Sequence, residues 1–176
     1  MKMIKTVMAG AVAMALVSFG ANAANQGQGI VNFKGTVIDA PCGIAPESAD
    51  QSIDFGQISK AHLNADGISM KKDLNIKLVN CDATELGQKG VQVTFTGTTV
   101  ENTPTELGTA GDTGTAVVIS GQDGKIVSFG TPGIHQEVTP GDNTLRYSTW
   151  VKKASGTESV KEGDFTAVAH FSLNYN

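Results

Sequence analysis

The chain offers few groups that could do chemistry: three histidines, two cysteines, one tryptophan and 17 scattered carboxylates. A catalytic or metal centre needs such groups to converge. His62, His135 and His170 stand far apart, and there is no His-Glu-x-x-His pair to hold zinc on one helix face. No Gly-x-Ser-x-Gly elbow presents a serine nucleophile. No glycine loop precedes a helix to cradle a phosphate; Gly111 to Gly114 reads as a turn. The spacing of the acids identifies no pair for glycoside hydrolysis. Tyr147 and Trp150 could stack on a sugar, but at this spacing aromatics more often fill a half-buried strand. Lys71-Lys72 and Lys152-Lys153 read as solvated strand flanks. The expectation is a non-enzymatic protein with no catalytic residue, no metal ligands and no cofactor.

The cysteines make sense only with their compartment. Residues 1–23 have the three parts of a secretory signal peptide. Lys2 and Lys5 are the basic end, Val7 to Phe19 an apolar run, and Ala21-Asn22-Ala23 a cleavage site, with the cut between Ala23 and Ala24. The apolar run is about 13 residues, short of the roughly 20 that span a bilayer, so no membrane anchor is expected in the mature chain. In an oxidising compartment Cys42 and Cys81 read as a disulfide, with two buried free thiols as the alternative. The lack of a Cys-x-x-Cys spacing argues against a redox pair.

The elements around them read as strands. Of 176 residues 21 are Gly, and they separate short runs rich in Val, Thr and Phe. Apolar residues make up 40% and charged ones 17%, which suits one packed domain. A net charge of −4 argues against nucleic-acid binding, which needs a basic patch. Period-two runs recur at Thr36–Ile38, Ser52–Phe55, Leu74–Leu78, Val91–Phe95, Val117–Ile119, Ile126–Phe129, Leu145–Val151 and Phe165–Tyr175. Seven or eight short strands imply an all-β sandwich, with one short helical turn within 57–66.

Two segments stand out. Phe165, Ala167, Ala169, Phe171, Leu173 and Tyr175 share one face of the last run, yet no later strand follows to pair with it. Such an edge needs cover from elsewhere in the chain or from another chain. Residues 24–35 place Gly27, Gly29, Val31, Phe33 and Gly35 at the same period of two. They read either as a disordered leader or as a strand lent to another subunit.

These residues together resemble the pilin subunits of bacterial fimbriae assembled by the chaperone–usher pathway, most of all the major rod pilins of P-pilus type. The resemblance spans the mature chain. It is carried by the leader Gly27 to Gly35, by Thr36-Val37-Ile38-Asp39-Ala40-Pro41-Cys42 and by Ser52-Ile53-Asp54-Phe55-Gly56-Gln57. Leu78-Val79-Asn80-Cys81-Asp82 and the ending with Gly163 and penultimate Tyr175 complete it. It implies an incomplete immunoglobulin-like β-sandwich over residues 36–176, lacking its last strand, with residues 24–35 as a donor-strand extension. It implies no enzyme, but a structural subunit that supports cell adhesion from a surface fimbria. Its partners would be a periplasmic chaperone, an outer-membrane usher and identical or homologous pilins in a head-to-tail polymer. Carried over, Gly29, Val31, Phe33 and Gly35 fill the groove. Gly29 takes the family's small position and Gly27 the deepest pocket; Gly163 and Phe165 to Tyr175 form the strand that chaperone and neighbour contact. A minor adaptor or terminator subunit and a receptor-binding β-sandwich module are the competing readings. The residues 24–41 ahead of Cys42 favour a rod subunit over an adaptor, and the chain leaves no room for an added lectin domain.

Overall fold

The computed structural model describes residues 29–86 and 90–176. The expected signal peptide with its Ala23–Ala24 junction, and Gly27 of the leader, lie outside the described residues. Contacts divide the chain into two units, one ending at Thr36 and one running from Val37 to Asn176. The described part of the first is an exposed segment without regular structure.

The second unit is mostly strand. In chain order it holds β1 (Gly43–Ile44), α1 (Pro46–Ala49), α2 (Lys60–Asn64), β2 (Lys72–Cys81), α3 (Ala83–Leu86), β3 (Gly90–Gly97), β4 (Thr99–Val100) and β5 (Thr103–Gly108). It continues with β6 (Thr115–Ser120), β7 (Gln136–Glu137), β8 (Gly141–Lys153) and β9 (Ala169–Tyr175). One sheet has the order β1-β2-β8-β6-β5-β4, the other β7-β3-β9. All pairings are antiparallel. This is the expected incomplete immunoglobulin-like sandwich.

The core lies between the inner faces. Ile76, Leu78 and Leu145 come from one sheet, Val91, Val93 and Phe95 from the other, all at most 3% exposed. Phe95 packs edge-on against Tyr147 at 5.0 Å and tilted against Phe171 at 6.4 Å. β6 is buried along its whole length; β8 pairs with all six of its residues and β5 with Ala116 and Val117. The Cys42–Cys81 disulfide ties the approach to β1 to the end of β2. Trp150 is buried, with the Lys71 ammonium 4.5 Å above its ring.

Several runs differ from expectation. Thr36–Ile38 forms no strand and is exposed. Ile126–Phe129 forms no ladder, because Val127 N–H donates to Ile119 and Phe129 N–H to Pro104, so the segment crosses strands instead of following one. The last strand starts at Ala169, not Phe165. Before it, Lys161 N–H donates to Thr113, and Thr166 and Ala110 exchange backbone bonds of 3.2 and 2.8 Å. These bonds hold residues 161–166 as a strap along Ala110–Thr113. Gly111 at φ +104° is required there, since a Cβ would strike the Asp164 carbonyl. Lys152 is no solvated flank: its ammonium meets buried Glu106 on β5 at 2.5 Å. The Ser155 N–H and hydroxyl also donate to Glu106, at 2.8 and 2.7 Å. Burial pushes the Glu106 carboxyl up, but Lys152 and Ser155 together outweigh that and hold it below the usual carboxylate range.

Candidate functional site

β9 pairs with β3 from Val91↔Tyr175 to Gly97↔Ala169, and with no strand on its other side among the described residues. A sheet edge this long is ordinarily covered or charged. A second stretch of the chain is also unpaired. From Gln51 to Ile58 no backbone group bonds another backbone group among the described residues. Ile53, Phe55 and Ile58 are half-buried, whereas Asp54 and Gln57 are exposed. The alternation of a strand is therefore present here without its ladder.

A cleft lies beside each of these two stretches. The larger, about 780 Å³, is lined by Ile53–Lys60, Leu63 and Val160–Phe165. The smaller, about 520 Å³, is lined by Ile38–Cys42, Ile44, Glu85 and Phe171–Tyr175. Their floors are apolar: Phe55, Ile58, Phe165, Phe171, Leu173 and Tyr175 are packed on the core and only half covered. Phe55 and Phe165 approach to 6.5 Å between ring centroids. The walls of the larger cleft are tied at one end. Asn64 Oδ1 accepts the Val160 N–H at 2.8 Å, and Lys60 pairs with Glu162 at 2.8 Å. Asp54 Oδ1 accepts the Gly56 N–H at 2.7 Å, turning the chain at Gly56.

The expected C-terminal residues divide. Phe171, Leu173 and Tyr175 lie on β9 with their side chains half-buried, and Ala169 is on the strand but exposed. Gly163, Phe165 and Ala167 fall before it; of these only Phe165 reaches the cleft floor, while Ala167 is exposed and Gly163 lines the strap at φ +147°. The Tyr175 hydroxyl is buried with no partner among the described residues, and burial pushes its pKa up. In the leader Gly29 and Gly35 have open space around them, Val31 is exposed and Phe33 is 90% exposed. Val37, expected in a strand of the body, stands at the same period of two as Val31, Phe33 and Gly35 and is 100% exposed.

Nothing here assembles reactive groups. No cluster of three metal-ligating side chains occurs among the described residues. His62 and His135 are engaged with backbone, His62 Nε2 lying 3.0 Å from the Ile68 carbonyl and His135 Nε2 3.1 Å from the Gly90 N–H. No helix among the described residues is long and apolar enough to cross a membrane. Unpaired backbone beside apolar clefts is an arrangement able to take up an extended segment.

Comparison with known proteins agrees. The family model described as "Fimbrial protein" matches residues 31–176. KS71A fimbrillin of Escherichia coli is 54% identical over 186 residues, covering 98% of this chain and all of the relative. The Pap fimbrial major pilin protein of Escherichia coli is 51% identical over 184 residues, with the same coverage. A solved chaperone–usher pilus, studied for the uncoiling of its rod, superposes with a TM-score of 0.79 at 49% identity, covering 86% of this chain and 97% of that one. That family is structural, not enzymatic. The chain belongs to the fimbrial protein family and is a structural subunit of an extracellular surface fimbria.

Proposed function

We propose that the chain is a major rod subunit that polymerises head to tail by strand donation, with residues 24–35 of one subunit filling the groove of the next. The carrying observation is the pair of unpaired edges, β9 and residues 51–58, over two apolar-floored clefts. An incoming strand satisfies backbone groups on that line and covers the half-buried Phe and Leu side chains. The exposed leader supplies the complementary apolar face, Val31 and Phe33, prolonged by Val37. A donor that always belongs to the neighbour makes a heterologous contact, which grows a filament rather than a closed ring.

An open groove of this kind is an aggregation hazard before assembly. A periplasmic chaperone is the partner that covers it, contacting Phe165 to Tyr175, and an outer-membrane usher is where the neighbour's leader replaces it. The likeness to a solved chaperone–usher pilus supports that route. Export is assigned to residues 1–23, with cleavage at Ala23–Ala24, and residues 36–176 form the acceptor domain. The polymer supports cell adhesion as a scaffold and catalyses nothing. The likeness to the Pap fimbrial major pilin protein and the presence of usable clefts favour a rod subunit over a terminator.

The test uses the full chain carrying Phe33→Asp, which disables its own leader. Thermal unfolding is followed with and without a synthetic peptide of residues 24–36. A gain of tens of degrees with the peptide is expected; an unchanged transition at saturating peptide would refute the reading.

A further inference from the structure

The outer rim of the larger cleft is charged in a definite way. Asp54 and Asp164 sit immediately beside Phe55 and Phe165, which form the floor, and both aspartates are exposed. In each wall the aromatic is turned in and the aspartate that precedes it is turned out. Neither carboxylate has a lysine partner among the described residues, whereas Glu162 is matched by Lys60 and Asp112 by Lys161. The leader carries the opposite sign. Between Ala24 and Thr36 its one charged side chain is Lys34, directly after Phe33. In an extended strand that turns Phe33 inward, Lys34 is turned outward.

We propose that Lys34 of an incoming copy is held between Asp54 and Asp164 at the mouth of the larger cleft, and that this charge match steers leader into groove. The inference rests on the strand-donation reading and adds to it an address for one residue. Phe33 is the largest apolar side chain of the leader, and the cleft with the two phenylalanines on its floor is the larger of the two. Seating Phe33 there brings Lys34 to the aspartate rim. Exposed charge pairs add little to affinity. They act on the rate of encounter, and that contribution falls with salt. The occupant is thus a second copy of this chain, recognised by a cation on the outer face of its leader.

The experiment measures the rate at which an N-acetylated, fluorescent peptide of residues 24–36 enters the full chain carrying Phe33→Asp. The peptide is also amidated at its C-terminus, so both terminal charges are removed and Lys34 alone is read. Salt is set at roughly 0.01 and 0.15 M, where the screening length is about 30 and 8 Å. At low salt the Lys34→Glu peptide is expected to enter about tenfold more slowly than the natural one, with the gap closing toward twofold at high salt. An acceptor with Asp164→Lys or Asp54→Lys should restore the rate of the Lys34→Glu peptide. The milder Asp54→Asn and Asp164→Asn acceptors, less at risk of misfolding, should slow the natural peptide alone. Equal rates for both peptides at low salt overturn the inference and leave strand donation standing. Rescue by Glu85→Lys and by neither aspartate overturns the placement. A natural peptide that enters at neither salt overturns strand donation itself.

Discussion

Truncation of Phe33 to Ala, read in the peptide of residues 24–36, is the most direct probe of how the leader is used. Phe33 is 90% exposed in the free chain, so seating it over Phe55 and Phe165 removes nearly its whole side chain from water. An aromatic side chain buries on the order of 150 Å². At about 25 cal/mol per Å² that is roughly 3–4 kcal/mol, or about 10²–10³ in dissociation constant. Asn32, one position away, is turned to the opposite face of an extended strand, and Asn32→Ala should change affinity by less than about threefold. Val31→Ala belongs with Phe33→Ala but removes less area, so about tenfold is expected. The assay is displacement of a fluorescent natural peptide from the full chain carrying Phe33→Asp. The pattern across positions 31 to 33 matters more than any single value. A Phe33→Ala loss below threefold, or an Asn32→Ala loss as large as it, would refute the period-two reading of the leader.

Two further predictions concern the body of the subunit. Glu106 has its carboxyl held below the usual range, so its stabilising contribution is present above the unfolded carboxylate value of about 4.3 and is lost as pH falls through the lower folded value. Glu106→Gln should flatten the acid limb of urea stability, and Lys152→Met should cost roughly 2–3 kcal/mol at neutral pH by leaving a buried carboxylate unpaired; an acid limb unchanged by Glu106→Gln contradicts this. Cys42 and Cys81 are separated by 39 residues, and opening that loop by replacing both with Ser should cost about 4 kcal/mol in the chain-entropy model. A fall of less than about 1 kcal/mol in urea unfolding would show that the unfolded chain is already constrained there.

Period two was enough to find β2, β3, β6 and β8, since each alternates or runs apolar over a stretch that packs on the core. It missed β5, whose residues Thr103 to Gly108 include the acidic Glu106 on the buried side. A carboxylate there reads as solvent-facing until Lys152 and Ser155, far along the chain, are known to reach it. The same distance effect misassigned Lys152, whose ammonium is tied to β5 and not to water. The start of β9 was misplaced because alternation continues back to Phe165, while the backbone bonds of residues 161–166 go to Ala110 and Thr113, a partner that side-chain periodicity does not register.

Ser52–Phe55 is the most informative of the differences. Its residues alternate as a strand, its apolar side chains turn to the core, and yet its backbone finds no backbone partner among the described residues. Ile126–Phe129 also alternates without a ladder, but there the N–H groups of Val127 and Phe129 are spent on two different strands. The first segment has bonds left to make; the second has made them elsewhere. Backbone groups beside an apolar floor are rarely left unpaired in a finished fold. On the strand-donation reading, a strand pattern without a ladder, together with a one-sided β9, marks the place where this sequence is written for two chains. Residues 52–55 and 169–175 would then hold the pattern of a sandwich whose remaining strand is encoded elsewhere in the sequence, in the exposed alternation of Val31, Phe33 and Val37. On that reading the apolar surface left half covered on Phe55, Phe165, Phe171 and Leu173 is stability withheld from the lone subunit and released on assembly, which couples completion of the fold to growth of the filament.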